Sequence, residues 1–203
     1  MAATNLNGTP IPTNADIGDS LEALFKAPRL EIERIPQEQD AWCYAACAEM
    51  AIKALIPNGF DSVSQCEVAS FVKRDQVASC CPPTPGACLT SGCTEDQVGE
   101  IFLKFGVDYT GSFDPEFVIP QITTNEIRSE IGDEQPIEVE IRWSGSENSS
   151  HVVLITGIRD DDYVFITDPL RGVNYNGWQP YQFVRHGFGE GEWVRTWKGL
   201  HRA

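Results

Sequence analysis

Asp40-Ala-Trp-Cys43-Tyr-Ala-Ala-Cys47-Ala-Glu-Met-Ala-Ile-Lys-Ala-Leu55 is the stretch that most restricts what this chain can fold into. The pattern predicts a helix of roughly 41–56, with Asp40 as N-cap and Pro57-Asn-Gly59 as its stop. Alanines and Cys47 near its start leave little side-chain bulk, so neighbouring backbone can approach closely, as a buried central helix requires. Cys43 falls in the first turn. There the positive end of the backbone dipole favours a thiolate, the reactive form of cysteine.

The surrounding segments suit such a helix. Residues 1–18 lack hydrophobic periodicity and read as a flexible lead. A helical turn is predicted at 19–25, and Leu30-Glu-Ile-Glu-Arg34 alternates like a strand. Helices are expected at 64–74, at 95–105 behind the capping box of Thr94 and Gln97, and near 125–131 with Ile127 and Ile131 on one face. From 136 the period changes. Residues 136–143, 151–158, 163–167 and 193–197 read as strands. Helices first and antiparallel strands after them predict an α+β chain with two lobes and a cleft between.

A thiol in that cleft needs a base, and the chain has three histidines. His151 follows the polar 144–150 loop and opens an apolar strand that would fix its backbone. His186 lies among glycines, and His201 sits near the C-terminus, where fraying is expected. Asp168 closes the next strand, placing an acceptor where it can hold one imidazole nitrogen and leave the other for sulfur. Gln37 precedes Cys43 by six residues. Its amide and the Cys43 backbone N–H are two candidate donors to an oxyanion, with Gln39 as the rival side chain.

Gln37-Glu-Gln-Asp-Ala-Trp-Cys43-Tyr-Ala-Ala-Cys47, Ser64-Gln-Cys66-Glu-Val-Ala, Cys80-Cys-Pro82, His151-Val-Val and Asp168-Pro169 resemble segments of the papain-like cysteine peptidases. More narrowly, they resemble a bacterial branch that includes plant-pathogen effector proteases. The resemblance covers residues 30–198. It implies a papain-like fold, with an N-terminal helical lobe around the central helix and a C-terminal antiparallel β-sheet lobe. It further implies a nucleophile at Cys43, a general acid/base at His151, an orienting residue at Asp168 and an oxyanion donor at Gln37. Two positions depart from the pattern. Tyr44 replaces the tryptophan usual after the nucleophile, and Asp168 replaces the asparagine of plant and lysosomal relatives. His151 and Asp168 follow Cys43 by only 108 and 125 residues, which suits a trimmed right-hand lobe.

The expected activity is hydrolysis of peptide or isopeptide bonds without a cofactor, by a domain spanning 29–203 behind the lead of 1–28. Transglutaminase-like acyl transfer, with an amine in place of water, is the alternative chemistry. A catalytically dormant peptide-binding or toxin module is the non-enzymatic one. A formal net charge of −15 excludes nucleic acid and an anionic membrane as expected partners, leaving a protein or peptide substrate and a monomeric chain. No Sec-type signal is read at the N-terminus, which points to the cytoplasm or a non-Sec route. Cys47, Cys66, Cys80, Cys81, Cys88 and Cys93 remain beside Cys43, and three readings compete for them: structural disulfides, reduced thiols or a zinc site.

Overall fold

The alanine-rich stretch folds as helix α1 (Cys43–Leu55), nine of whose residues, Tyr44 to Ile52, are buried. A helix buried on every side belongs in the middle of a domain. It begins at Cys43, two residues later than expected, and Asp40 does not cap it. Trp42 takes the N-cap position, and no side chain caps the first turn. The reason is packing: Trp42 is fully buried, and its indole N–H donates to the Cys88 carbonyl at 2.8 Å. That anchor fixes the backbone just before the helix.

This computed structural model describes residues 27–57, 63–82, 84–89, 92–110, 121–145, 149–160, 162–172 and 175–203. The expected lead and the helical turn at 19–25 lie outside them. In chain order α1 is followed by α2 (Gln65–Val72), α3 (Gly86–Leu89), α4 (Glu95–Lys104), β1 (Val107–Thr110) and α5 (Thr124–Gly132). Then come β2 (Ile137–Trp143), β3 (Ser150–Ile158), β4 (Tyr163–Thr167), β5 (Gly177–Pro180), α6 (Tyr181–Arg185) and β6 (Gly191–Arg202). Helices α2, α4 and α5 each open with a capping box, from Ser64 and Glu67, Thr94 and Gln97, and Thr123 and Glu126. Among the described residues no helix is long and apolar enough to cross a membrane.

The strands form one sheet in the order β1-β6-β2-β3-β4-β5, antiparallel throughout. Successive side chains on a strand point to opposite faces, so each strand serves two cores. Val152 and Leu154 of β3 join Trp197 and Leu200 of β6 against α1, α2 and α4. Val153 and Ile155 join Val139 and Ile141 of β2 against Ile127 and Ile131 of α5. The fold is therefore α+β, as expected, with its helical half first. The halves are joined more closely than two separate lobes would be, because β1 leaves the helical half and pairs with β6.

Two expectations fail locally. Residues 30–34 form no strand, and the segment makes one isolated bridge, Arg29 to Gly157. The Leu30 N–H still donates to Thr156, but Ile32 N–H turns back onto the Leu30 carbonyl at 2.9 Å and ends the ladder. His201 does not fray; it lies within β6, paired opposite Asp108.

The cysteine readings resolve into two disulfides, Cys66–Cys81 and Cys80–Cys88, which staple the Pro-rich 80–88 segment to itself and to α2. Those four sulfurs are spent, so they cannot serve as zinc thiolates. Cys43, Cys47 and Cys93 remain thiols.

Alkylation of the unfolded, unreduced protein should therefore modify three cysteines, and reduction should release four more; mass spectrometry reading one or seven labelled thiols before reduction would contradict these pairings. Gly191 faces Trp143 across the β2–β6 ladder, and a Cβ there would lie 2.2 Å from the Arg142 carbonyl oxygen. Gly191→Ala should destabilise the fold by about 2–3 kcal/mol, lowering Tm by roughly 5–10 °C in a thermal scan.

Candidate active site

Antiparallel pairing of β3 with β4 brings the start of one beside the end of the other. His151 stands at that start and Asp168 just past that end. His151 Nε2 meets Asp168 Oδ1 at 2.8 Å, in a bond buried at both partners. The carboxylate is fully buried, yet it is not stranded. Oδ1 also accepts the Leu170 backbone N–H, and Oδ2 accepts that of Tyr175, both at 2.9 Å. Burial alone would raise the Asp168 pKa. The bond and charge of His151, together with those two amides, outweigh it and hold the group below the usual carboxylate range.

Burial likewise works against charge on His151. Its hydrogen bond to Asp168, and then a hydrogen bond and the charge from Cys43, more than offset that effect. The imidazole pKa is pushed up to about 9. With Nε2 taken by Asp168, Nδ1 is the nitrogen left for the Cys43 sulfur. Trp143 lies over the ring, with centroids 6.1 Å apart and planes 13° from parallel. Of the five tryptophans this is the one that shields the imidazole.

Cys43 is half-buried at the first position of α1. Helix geometry leaves the first backbone N–H groups without intrahelical partners, and here no capping side chain takes them. A negative oxygen arriving at this turn meets donors and the positive end of α1 together. The turn opens into a cleft of about 510 Å³, whose walls include Asp40, Cys43, Cys93, Trp143, Ser149 and His151.

Gln37 is buried before this turn, but its amide faces backbone. Nε2 donates to the Gln39 carbonyl at 2.9 Å and the Asp40 carbonyl at 2.8 Å, while Oε1 has no partner among the described residues. The same segment is laced to the Asp168 side of the molecule. Gln37 N–H donates to the Pro169 carbonyl, Arg171 Nε to the Gln37 carbonyl, and Arg34 Nε to the Asp168 carbonyl. The two arginine bonds join positions 134 residues apart, and all three set the approach to Cys43 against the strand end that carries Asp168. Gln39, the rival amide, contributes its carbonyl to this turn. His186 and His201 are exposed, bonded through Nδ1 to Gln182 and Gly199 carbonyls.

Several groups around the sulfur had no clear signature in the sequence. Cys47, one turn below Cys43, is buried and donates to the Val152 carbonyl at 3.4 Å. Desolvation raises its pKa well above that of an ordinary thiol, with Glu138 and Cys43 adding to the effect, so it is a packing residue. Desolvation, and next Cys43, also raise the Cys93 thiol. Tyr44 buries a hydroxyl that finds no partner among the described residues, and burial raises its pKa. Glu138 is fully buried on β2, with neither oxygen bonded among those residues. Burial, then Cys43, pushes it well above the usual carboxylate range. Alternating strand polarity marks Glu138 as polar, but it does not announce a layer of helices above it.

The sequence pattern of the Peptidase_C39 like family matches residues 29–200. Among solved structures, the chain is similar to a double glycine motif protease from an AMS/PCAT transporter, determined in complex with the leader peptide. Identity is 17%, over 88% of this chain and 96% of that one, with a TM-score of 0.48. It is also similar to xylellain, a cysteine protease from Xylella fastidiosa, at 13% identity over 95% of each chain and a TM-score of 0.49. No curated protein matches the chain.

The His151 shift has a sign that stability should follow. A pKa raised from about 6.5 in the unfolded chain to about 9 in the fold contributes stability that is complete below pH 6.5. That contribution is lost as pH rises through 9. It amounts to something on the order of 3 kcal/mol. Urea unfolding between pH 6 and 10 should show this loss in the wild type, and His151→Gln should flatten it.

Proposed function

This chain belongs to the Peptidase_C39 like family, and on that footing we propose that it hydrolyses peptide bonds with Cys43 as nucleophile and His151 as general acid and base. The observation that supports the reading is the buried His151–Asp168 hydrogen bond, whose imidazole lines the same cleft as Cys43 at the head of α1.

In the proposed reaction the Cys43 thiolate attacks the carbonyl carbon of the scissile bond. The carbonyl oxygen becomes an oxyanion at the uncapped first turn, where the Cys43 backbone N–H donates to it. His151 holds a proton on Nδ1 and passes it to the leaving nitrogen as the C–N bond breaks. Asp168 keeps the ring oriented and stabilises the imidazolium. A thioester to Cys43 remains. Water then enters, gives a proton to His151, attacks the thioester carbon and releases the acid with Cys43 restored.

Gln37 has a role in this reading as second oxyanion donor. Both of its amide protons engage the 39–40 turn, so one must be released from the Asp40 or Gln39 carbonyl as substrate binds. Every residue given a role comes from one chain, so the proposal asks for no second copy. The catalytic domain is placed at 29–203. The narrower kinship with a bacterial branch containing plant-pathogen effector proteases belongs to the same proposal and rests on the segments 37–47, 64–69, 80–82, 151–153 and 168–169.

Cys43→Ala should fold like the wild type and lose at least 10³-fold in kcat/KM against a fluorogenic peptide library, a loss on the scale of removing an activated nucleophile. Equal turnover in that variant would remove the assignment. Mass analysis of the acyl product in the presence of a primary amine separates hydrolysis, which yields the acid, from acyl transfer, which yields an amide.

A further inference from the structure

A second hollow, of about 450 Å³, adjoins the cleft of Cys43 and His151, and Trp143 lines both. Its walls include Arg142, Arg185 and His186 against a single acidic residue, Glu192. On a chain of formal net charge −15, two arginines against one carboxylate beside the Cys43 cleft run against the general field. We infer that this hollow is a subsite for a carboxylate on the leaving-group side of the substrate; the inference rests on the peptidase reading and names its preference.

The direction follows from the chemistry of the imidazole. The ring that protonates the leaving nitrogen must face the leaving fragment, so that fragment departs on the His151 side of the cleft. Trp143 stacks on that ring and forms the floor shared by the two hollows. A leaving peptide that crosses Trp143 delivers its next residues to Arg142 and Arg185.

The arginines are held in different ways. Arg185 is braced: its Nε donates to Gln121 Oε1 at 2.7 Å, and Gln121 Nε2 bonds the Arg185 and Trp193 carbonyls. That bond uses one of five guanidinium N–H groups and fixes the plane of the rest. Arg142 is exposed at the end of β2, directly across from Glu192 on β6. Among the described residues no ion pair joins those two side chains, although their backbones are ladder partners. An arginine fork matches a carboxylate in a planar, two-point contact that a lone charge does not provide. The carboxylate can belong to an aspartate or glutamate side chain, or to the C-terminus of a short leaving peptide.

The test uses fluorogenic peptide pools identical on the acyl side. On the leaving side they carry either Asp and Glu or Asn and Gln, each made as C-terminal acid and C-terminal amide. At low salt the acidic pool should show a kcat/KM roughly 5-fold higher, chiefly through KM, and the advantage should shrink toward unity near 0.5 M salt. Arg142→Glu should reduce the acidic-to-neutral ratio to one or below, Arg142→Lys should keep part of it, and Glu192→Gln should increase it. A ratio that follows the side chain identifies an acidic residue as the ligand; one that follows only the free acid identifies the C-terminus. Affinities of both pools for the Cys43→Ala protein, read by fluorescence anisotropy, should show the same order without turnover. Absence of cleavage in the wild type would defeat the peptidase reading alone. Equal affinities across all four peptide sets, by side chain and by terminus, or a carboxylate preference unmoved by Arg142→Glu, would overturn the subsite.

Discussion

The bond between His151 and Asp168 is the interaction on which the site depends, because both partners are removed from water. An imidazolium in such a place is unfavourable unless an anion meets it, and a buried carboxylate is unfavourable unless donors surround it. Here each supplies what the other lacks, and the backbone N–H groups of Leu170 and Tyr175 complete the carboxylate. The strand geometry comes first and the charge follows. Only where β3 begins beside the end of β4 can two residues so far apart in sequence share one proton.

Cys43 completes the arrangement from the opposite direction. The sheet carries the imidazole and the helical layer carries the sulfur, so a cleft lined by both requires α1 to sit at a fixed height on β3. The Cys47 thiol, bonded to the Val152 carbonyl, and the apolar cluster that α1 shares with Val152 and Leu154 set that height. The hydrogen bonds between residues 34–37 and 168–171 fix the chain entering α1. Trp42 finishes the placement, since its burial leaves the first turn of α1 without a capping side chain. Apolar packing thus positions a polar site, and an uncapped helix end, ordinarily a weakness, opens into the cleft.

Much of this was legible in the sequence. The central helix, the capping box of α4, and the strands at 137–143, 150–158 and 163–167 follow from period and punctuation, whereas the boxes of α2 and α5 emerge only in the structure. Local patterns also singled out the side chains that meet at the cleft, because each lies at the boundary of a regular element. What escaped depends on distant partners. Asp40 has the chemistry of an N-cap, but the buried Trp42 indole overrides it. Residues 30–34 alternate like a strand, but one backward hydrogen bond at Ile32 denies them a ladder. The cysteine pairing could not be derived from spacing, and the role of Trp143 as a cover for His151 required the β2–β3 hairpin to be closed. Gln37 was legible as a residue near the thiol, whereas the direction of its amide was not.

The charge state of one ring tests this account most directly. A ¹H–¹⁵N NMR titration of His151 in the intact protein should find the imidazole doubly protonated at pH 7. It should lose its proton near pH 9 and titrate at clearly lower pH in Asp168→Asn. A wild-type ring that titrates near the ordinary value of about 6.5, or one indifferent to Asp168→Asn, would contradict the central claim that the fold builds a buried imidazolium beside Cys43.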